Sequence, residues 1–142
     1  MSGIIASGRC LCGNIQYQIE GEPVWTGYCH CESCRRMTGS VVTNWLGIKD
    51  NDLVFTIGQP AKFKDAGVTR GFCSHCGSSL TYEATRFPEY IQVHIGTLDN
   101  PNTITPRAHV HFAEKVEWFD VNDRLPRFEG SAVGVGVDWK KF

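Results

Sequence analysis

Seven cysteines in a chain of 142 residues fall into three tight groups, and this spacing constrains the fold more than any other feature. The groups are Cys10-Leu11-Cys12, then Cys29-His30-Cys31-Glu32-Ser33-Cys34, then Cys73-Ser74-His75-Cys76. An odd number of thiols does not make a complete disulfide set. Pairs one or two residues apart suit a shared metal ion better than a bridge. A structural zinc site takes four ligands, whereas a site with three protein ligands keeps one position open for chemistry. Dividing seven into four and three therefore carries functional meaning.

Glycines indicate how the groups divide. Cys12 is followed by Gly13 and Cys76 by Gly77, whereas Cys34 is followed by Arg35. A glycine after the second thiol permits the positive φ of a knuckle turn, in which backbone N–H groups point at sulfur. Cys10, Cys12, Cys73 and Cys76 thus read as two matched knuckles sharing one ion, a staple between distant segments. Cys29, Cys31 and Cys34 are left as a site of another kind. Rival readings of these three are a metal-free thiol cluster, a site closed by His30, His75, His109 or His111, and a redox dithiol of Cys31 and Cys34.

Three thiolates give a bound dication a net charge of −1, which weakens its Lewis acidity and makes hydrolysis a poor assignment. A soft, electron-rich ion suits exchange with another soft ligand such as a substrate thiolate. Arg35 and Arg36 follow the cluster directly and are candidates to seat a substrate carboxylate, against the plainer reading of solvated helix residues. His109 and His111 read as satisfied or exposed histidines. Trp25, Trp45 and Trp118 read as core residues.

Hydrophobic residues make up 42% of the chain and charged residues 20%, an ordinary globular balance for a single domain over 1–142. A formal charge of −1 is no footprint for nucleic acid or an anionic membrane. No apolar run approaches the length of a membrane helix, and the N-terminus lacks the pattern of a signal peptide. A cytoplasmic location follows as the expectation, and there clustered thiols stay reduced. Apolar residues alternate at Ile15/Tyr17/Ile19, Leu53/Phe55/Ile57, Leu80/Tyr82/Ala84, Ile91/Val93/Ile95/Thr97 and Ala108/Val110/Phe112. This period of two predicts a mainly β domain of short antiparallel strands. One helical turn is expected from Glu32 to Thr38, ending at Gly39, and a second short turn near Asp99 to Thr103.

Three runs then carry a resemblance: Gly8-Arg9-Cys10-Leu11-Cys12-Gly13, Cys29-His30-Cys31-Glu32-Ser33-Cys34-Arg35-Arg36-Met37-Thr38-Gly39, and Phe72-Cys73-Ser74-His75-Cys76-Gly77-Ser78. Gly96-Thr97-Leu98-Asp99-Asn100-Pro101, Pro106, His109, Trp118 and Leu125-Pro126 agree with it. The chain resembles the glutathione-dependent formaldehyde-activating enzyme family, whose GFA domain also occurs in centromere protein V. The likeness spans about residues 7–129 and leaves 130–142 as a tail. It implies a β-tent fold of packed antiparallel sheets and two Zn²⁺ per chain. Of these, Cys10, Cys12, Cys73 and Cys76 would hold a structural zinc, and Cys29, Cys31 and Cys34 a catalytic one. It also implies a carbon–sulfur lyase activity that joins a thiol such as glutathione to a small aldehyde, as in S-hydroxymethylglutathione synthesis. Two other readings stand beside it: a non-catalytic zinc-binding interaction module, and a thiol redox enzyme using Cys31 and Cys34.

Overall fold

The computed structural model describes residues 3–131. Ten strands and one α-helix occur among them, in the order β1 (Ile4–Arg9), β2 (Gln16–Glu20), β3 (Trp25–Cys29), α1 (Glu32–Thr38), β4 (Thr43–Lys49), β5 (Leu53–Ile57), β6 (Ala61–Asp65), β7 (Val68–Phe72), β8 (Ser79–Ala84), β9 (Tyr90–His94) and β10 (His109–Val110). Short 3-10 turns fill several connections, one of them over Pro101–Thr103 within the stretch where a turn was expected. Of the expected tail, residues 132–142 lie outside the described residues.

The strands form two packed sheets. One has three strands in the order β1-β2-β5, the other seven in the order β10-β3-β4-β9-β8-β7-β6. The alternation in β2 explains the packing: Ile15, Tyr17 and Ile19 are buried, while Gln16, Gln18 and Glu20 between them keep partial exposure. Facing them from the larger sheet are Leu46, Ile48, Leu80, Ile91 and Val93, which join the same apolar cluster. Burying such side chains removes apolar surface from water, the dominant favourable contribution to folding.

The larger sheet is covered on both faces. Neighbours in β4 divide between them: Leu46 enters the inter-sheet core, whereas Trp45 joins Trp25, Cys29, Cys34 and Val110 in a second cluster. Registers bring Trp25, Gly47, Gln92, Tyr82 and Arg70 into one row across β3, β4, β9, β8 and β7. Paired residues share a face of a sheet, so this row forms a floor on the side away from the inter-sheet core. Gly27 and Gly47 leave room for the Trp25 side chain: a Cβ at Gly27 would lie 2.8 Å from Trp25 Cζ2.

The mainly β, β-tent expectation holds, with three local differences. β10 runs parallel to β3, because residues 95–108 cross over without a hairpin return. The strand expected through Phe112 stops at Val110: His111 takes a left-handed φ of 52° and turns the chain into a 3-10 turn. The pattern through Ile95 and Thr97 is also not strand, since β9 ends at His94 and Ile95–Thr97 is a 3-10 turn. Trp118 is not core. It lies in irregular chain after β10, with no ladder to bury it, and is 75% exposed.

Candidate metal centre

The two knuckles are hairpin turns of the same construction. Cys10–Ile15 closes the β1–β2 hairpin with a 3.0 Å bond from the Cys10 N–H to the Ile15 carbonyl. Cys73–Ser78 closes the β7–β8 hairpin with a 2.9 Å bond from the Cys73 N–H to the Ser78 carbonyl. Gly13 and Gly77 have φ of 83° and 79°, the left-handed conformation their positions after a cysteine anticipate. Backbone N–H groups then donate to sulfur, from Ile15 to Cys10 Sγ at 3.3 Å and from Cys76 to Cys73 Sγ at 3.4 Å. The Leu11 N–H donates to Ser78 Oγ at 3.0 Å and ties one turn to the other.

All four sulfurs of Cys10, Cys12, Cys73 and Cys76 lie within 4.8 Å of one another. Cys10 and Cys12 Sγ are 3.6 Å apart, Cys12 and Cys73 Sγ 3.8 Å. Tetrahedral ligands about 2.3 Å from a zinc ion are themselves about 3.8 Å apart, so the donor set fits that ion. Cys10 and Cys73 belong to the inter-sheet core, and their hairpins come from different sheets. A hydrogen bond from Ser78 Oγ is the main influence that holds the Cys76 thiol down at about 5, and it favours the thiolate.

The other three cysteines meet on the opposite side of the larger sheet. Cys29 ends β3, Cys31 caps α1 and Cys34 lies in its first turn. As cap, Cys31 Sγ accepts the Cys34 N–H at 3.3 Å, so helix start and cluster geometry are one feature. The three sulfurs lie within 4.8 Å of one another, and among the described residues no histidine or carboxylate joins them. His30, His75, His109 and His111 therefore do not complete this group. Thiols of Cys29 and Cys31 beside it, with the Arg70 guanidinium, hold Cys34 down at about 2, while Cys31, Cys34 and burial push Cys29 up. A cation bound by the three sulfurs would take the place of the remaining thiol protons. Each cluster can hold a metal ion.

Cys29, Cys31 and Cys34 border a cavity of about 260 Å³. Its walls include Trp25, Trp45, Tyr82, Arg70, Arg86 and Phe87. Arg70 is only 8% exposed, donates from Nη1 to Cys34 Sγ at 3.5 Å and stands 5.0 Å from the centre of the Tyr82 ring. His111 and Glu114 also reach the cavity, with His111 Nδ1 3.3 Å from Glu114 Oε2. Arg35 and Arg36 are not among the lining residues; they pair with Glu32 along the helix at 3.9 and 3.6 Å. Arg70 was invisible to spacing, since it lies far along the chain from Cys34 and only the β7–β8 register brings it there. The strained backbone of His111 is likewise a tertiary feature.

Behind this cavity His109 is fully buried and satisfied. Its Nε2 is 2.9 Å from Asp123 Oδ2 and its Nδ1 is 2.8 Å from His30 Nε2. A carboxylate only accepts, so His109 donates from Nε2 and receives the His30 Nε2–H at Nδ1. This chain fixes the residue between Cys29 and Cys31 against β10.

Comparison with known proteins agrees with the architecture and with the family resemblance. A protein of Halomonas elongata that carries the name of the same family is 25% identical over 131 residues, covering 85% of this chain and 83% of its own. A crystal structure of a Rhodobacter sphaeroides protein superposes with a TM-score of 0.59 at 20% identity, over 85% of this chain and 98% of that one, and shares the fold. The pattern of the glutathione-dependent formaldehyde-activating enzyme family matches residues 5–114, and the chain belongs to that family.

Proposed function

We propose that the protein is a zinc-dependent enzyme of the carbon–sulfur lyase type, which joins a small thiol such as glutathione to a small aldehyde such as formaldehyde, or separates them. The observation that carries this reading is the three-sulfur cluster on the wall of a cavity, with no fourth protein ligand among the described residues. Cys10, Cys12, Cys73 and Cys76 would hold a structural zinc, and Cys29, Cys31 and Cys34 the catalytic one. A zinc ion held there would supply a soft Lewis acid suited to a substrate sulfur or carbonyl oxygen.

The chain's own residues supply the rest. Arg70 hydrogen-bonds Cys34 and offsets the negative charge of three thiolates at the cavity wall. Trp25 and Trp45 enclose the reacting groups and limit water. His111 with Glu114 takes the thiol proton and returns it to the carbonyl oxygen. Holding sulfur and carbon in contact removes the entropic cost of their meeting. A reducing compartment such as the cytoplasm keeps both clusters competent.

A non-catalytic zinc module would have the same framework. Cobalt substitution separates the two readings. Glutathione should change the visible spectrum of the three-cysteine site, and the loaded protein should accelerate its addition to formaldehyde. Absence of both effects favours the binding module over the lyase.

A further inference from the structure

We infer that Arg70 seats the carboxylate of the carbonyl partner, so that the preferred substrate is a small 2-oxo acid and not a neutral aldehyde. The inference rests on the catalytic reading above. Arg70 is nine-tenths buried, yet among the described residues no carboxylate lies within ion-pair distance of it. Its one hydrogen bond there is from Nη1 to Cys34 Sγ. Arg70 lines the cavity, and its guanidinium keeps further N–H donors, beyond the one on Cys34, that suit a carboxylate. Stacking beside Tyr82 holds the plane of the fork. Arg86, against the Phe87 ring, adds a second positive charge to the same cavity.

The position of this fork selects the class of substrate. Arg70 touches one of the three clustered sulfurs, so an anion held by it lies next to the reacting centre. In a 2-oxo acid the carboxylate carbon is bonded directly to the carbonyl carbon, and anchoring one places the other. In a glutathione-sized thiol the carboxylates stand several bonds from sulfur and reach outward instead. A neutral aldehyde makes no charge-assisted contact with the donors of Arg70 that Cys34 leaves free. The reaction is balanced: the thiol proton leaves to the His111–Glu114 pair, sulfur forms a bond to the carbonyl carbon, and the carbonyl π pair moves to oxygen. Oxygen then takes the proton, and nothing is oxidised or reduced.

Glyoxylate and glycolaldehyde are matched probes, since they differ in carboxylate against hydroxymethyl. With zinc-loaded full-length protein and glutathione, kcat/KM for glyoxylate should exceed that for glycolaldehyde by about 100-fold, the value of a buried charge-assisted contact. Arg70→Met should collapse that ratio towards one, and Arg70→Lys should keep part of it. Calorimetry with glyoxylate and no thiol gives a second readout: binding to wild type, weakened about 10-fold or more in R70M. A ratio near one in wild type, or equal glyoxylate affinity in R70M, overturns the inference even where formaldehyde addition is catalysed. If no aldehyde reacts at all, the catalytic reading fails, and the calorimetric comparison still decides whether Arg70 is an anion seat.

Discussion

Arg70 and Cys34 meet at 3.5 Å, guanidinium to sulfur, although thirty-six positions separate them along the chain. The contact puts a fixed positive charge against the one thiol of its cluster that is held deprotonated. Three thiolates on a zinc ion carry a net −1, and Arg70 brings the cage with its neighbour to neutrality. Replacing Arg70 by Met should weaken metal binding at this cluster by about 10- to 100-fold, from the loss of a hydrogen bond to a charged group worth about 1.5–3 kcal/mol. Competition with a chromophoric chelator measures it, and the four-cysteine cluster serves as the internal reference.

Mutation should separate the two clusters. Cys73 is buried in the core between the sheets, whereas Cys31 borders the cavity. Cys73→Ser should lower the thermal midpoint strongly or prevent folding, since structural zinc binding is coupled to folding. Cys31→Ser should leave the protein folded and abolish thiol–aldehyde addition. Thermal denaturation followed by circular dichroism, with activity on the same samples, reads both. Equal loss of stability in the two variants contradicts the assignment.

Gly77 isolates the cost of the knuckle conformation. A Cβ there would meet nothing within 4 Å, so an alanine has space, but φ is 79°. Gly77→Ala should therefore destabilise by about 1–2 kcal/mol through backbone strain alone. Urea unfolding of the metal-loaded protein should show a lower midpoint with an unchanged slope.

Acid should destabilise the protein through His94 as well as through the thiols. His94 is buried against Trp45, with ring centres 3.8 Å apart, and burial lowers its pKa from 6.5 to about 4. Between those values the unfolded chain binds the proton and the folded chain does not. Stability from this group is therefore complete above pH 6.5, falls as pH drops towards 4, and loses roughly 3 kcal/mol across that window. Thermal midpoints of wild type and His94→Gln across pH 4 to 7.5 check it: the variant's midpoint should fall less steeply.

Local features were legible in the sequence because local chemistry sets them. Gly13 and Gly77 marked the knuckles, and Gly39 marked the end of α1, where its N–H bonds the Arg35 carbonyl at 2.7 Å. The Ile15, Tyr17 and Ile19 face was visible because one side of β2 meets solvent and the other the core. β4 was not visible: both of its faces are covered, so Trp45, Leu46 and Ile48 leave no alternation to read. The cavity was hidden for a different reason. Its floor includes Trp25, Gln92, Tyr82 and Arg70 from four different strands, and register between distant strands is a tertiary outcome. Arg35 and Arg36 drew notice by adjacency to Cys34, yet the helix pairs them with Glu32, and the cation at the sulfur comes from β7. Trp118 shows the limit of residue type alone, since a large aromatic side chain outside any ladder stays at the surface.

Metal content per chain, in wild type and in Cys34→Ser, tests the central claim most directly. The account predicts two zinc ions in the wild type and one in a variant that remains folded. One ion in both proteins, or loss of both ions from the variant, contradicts it.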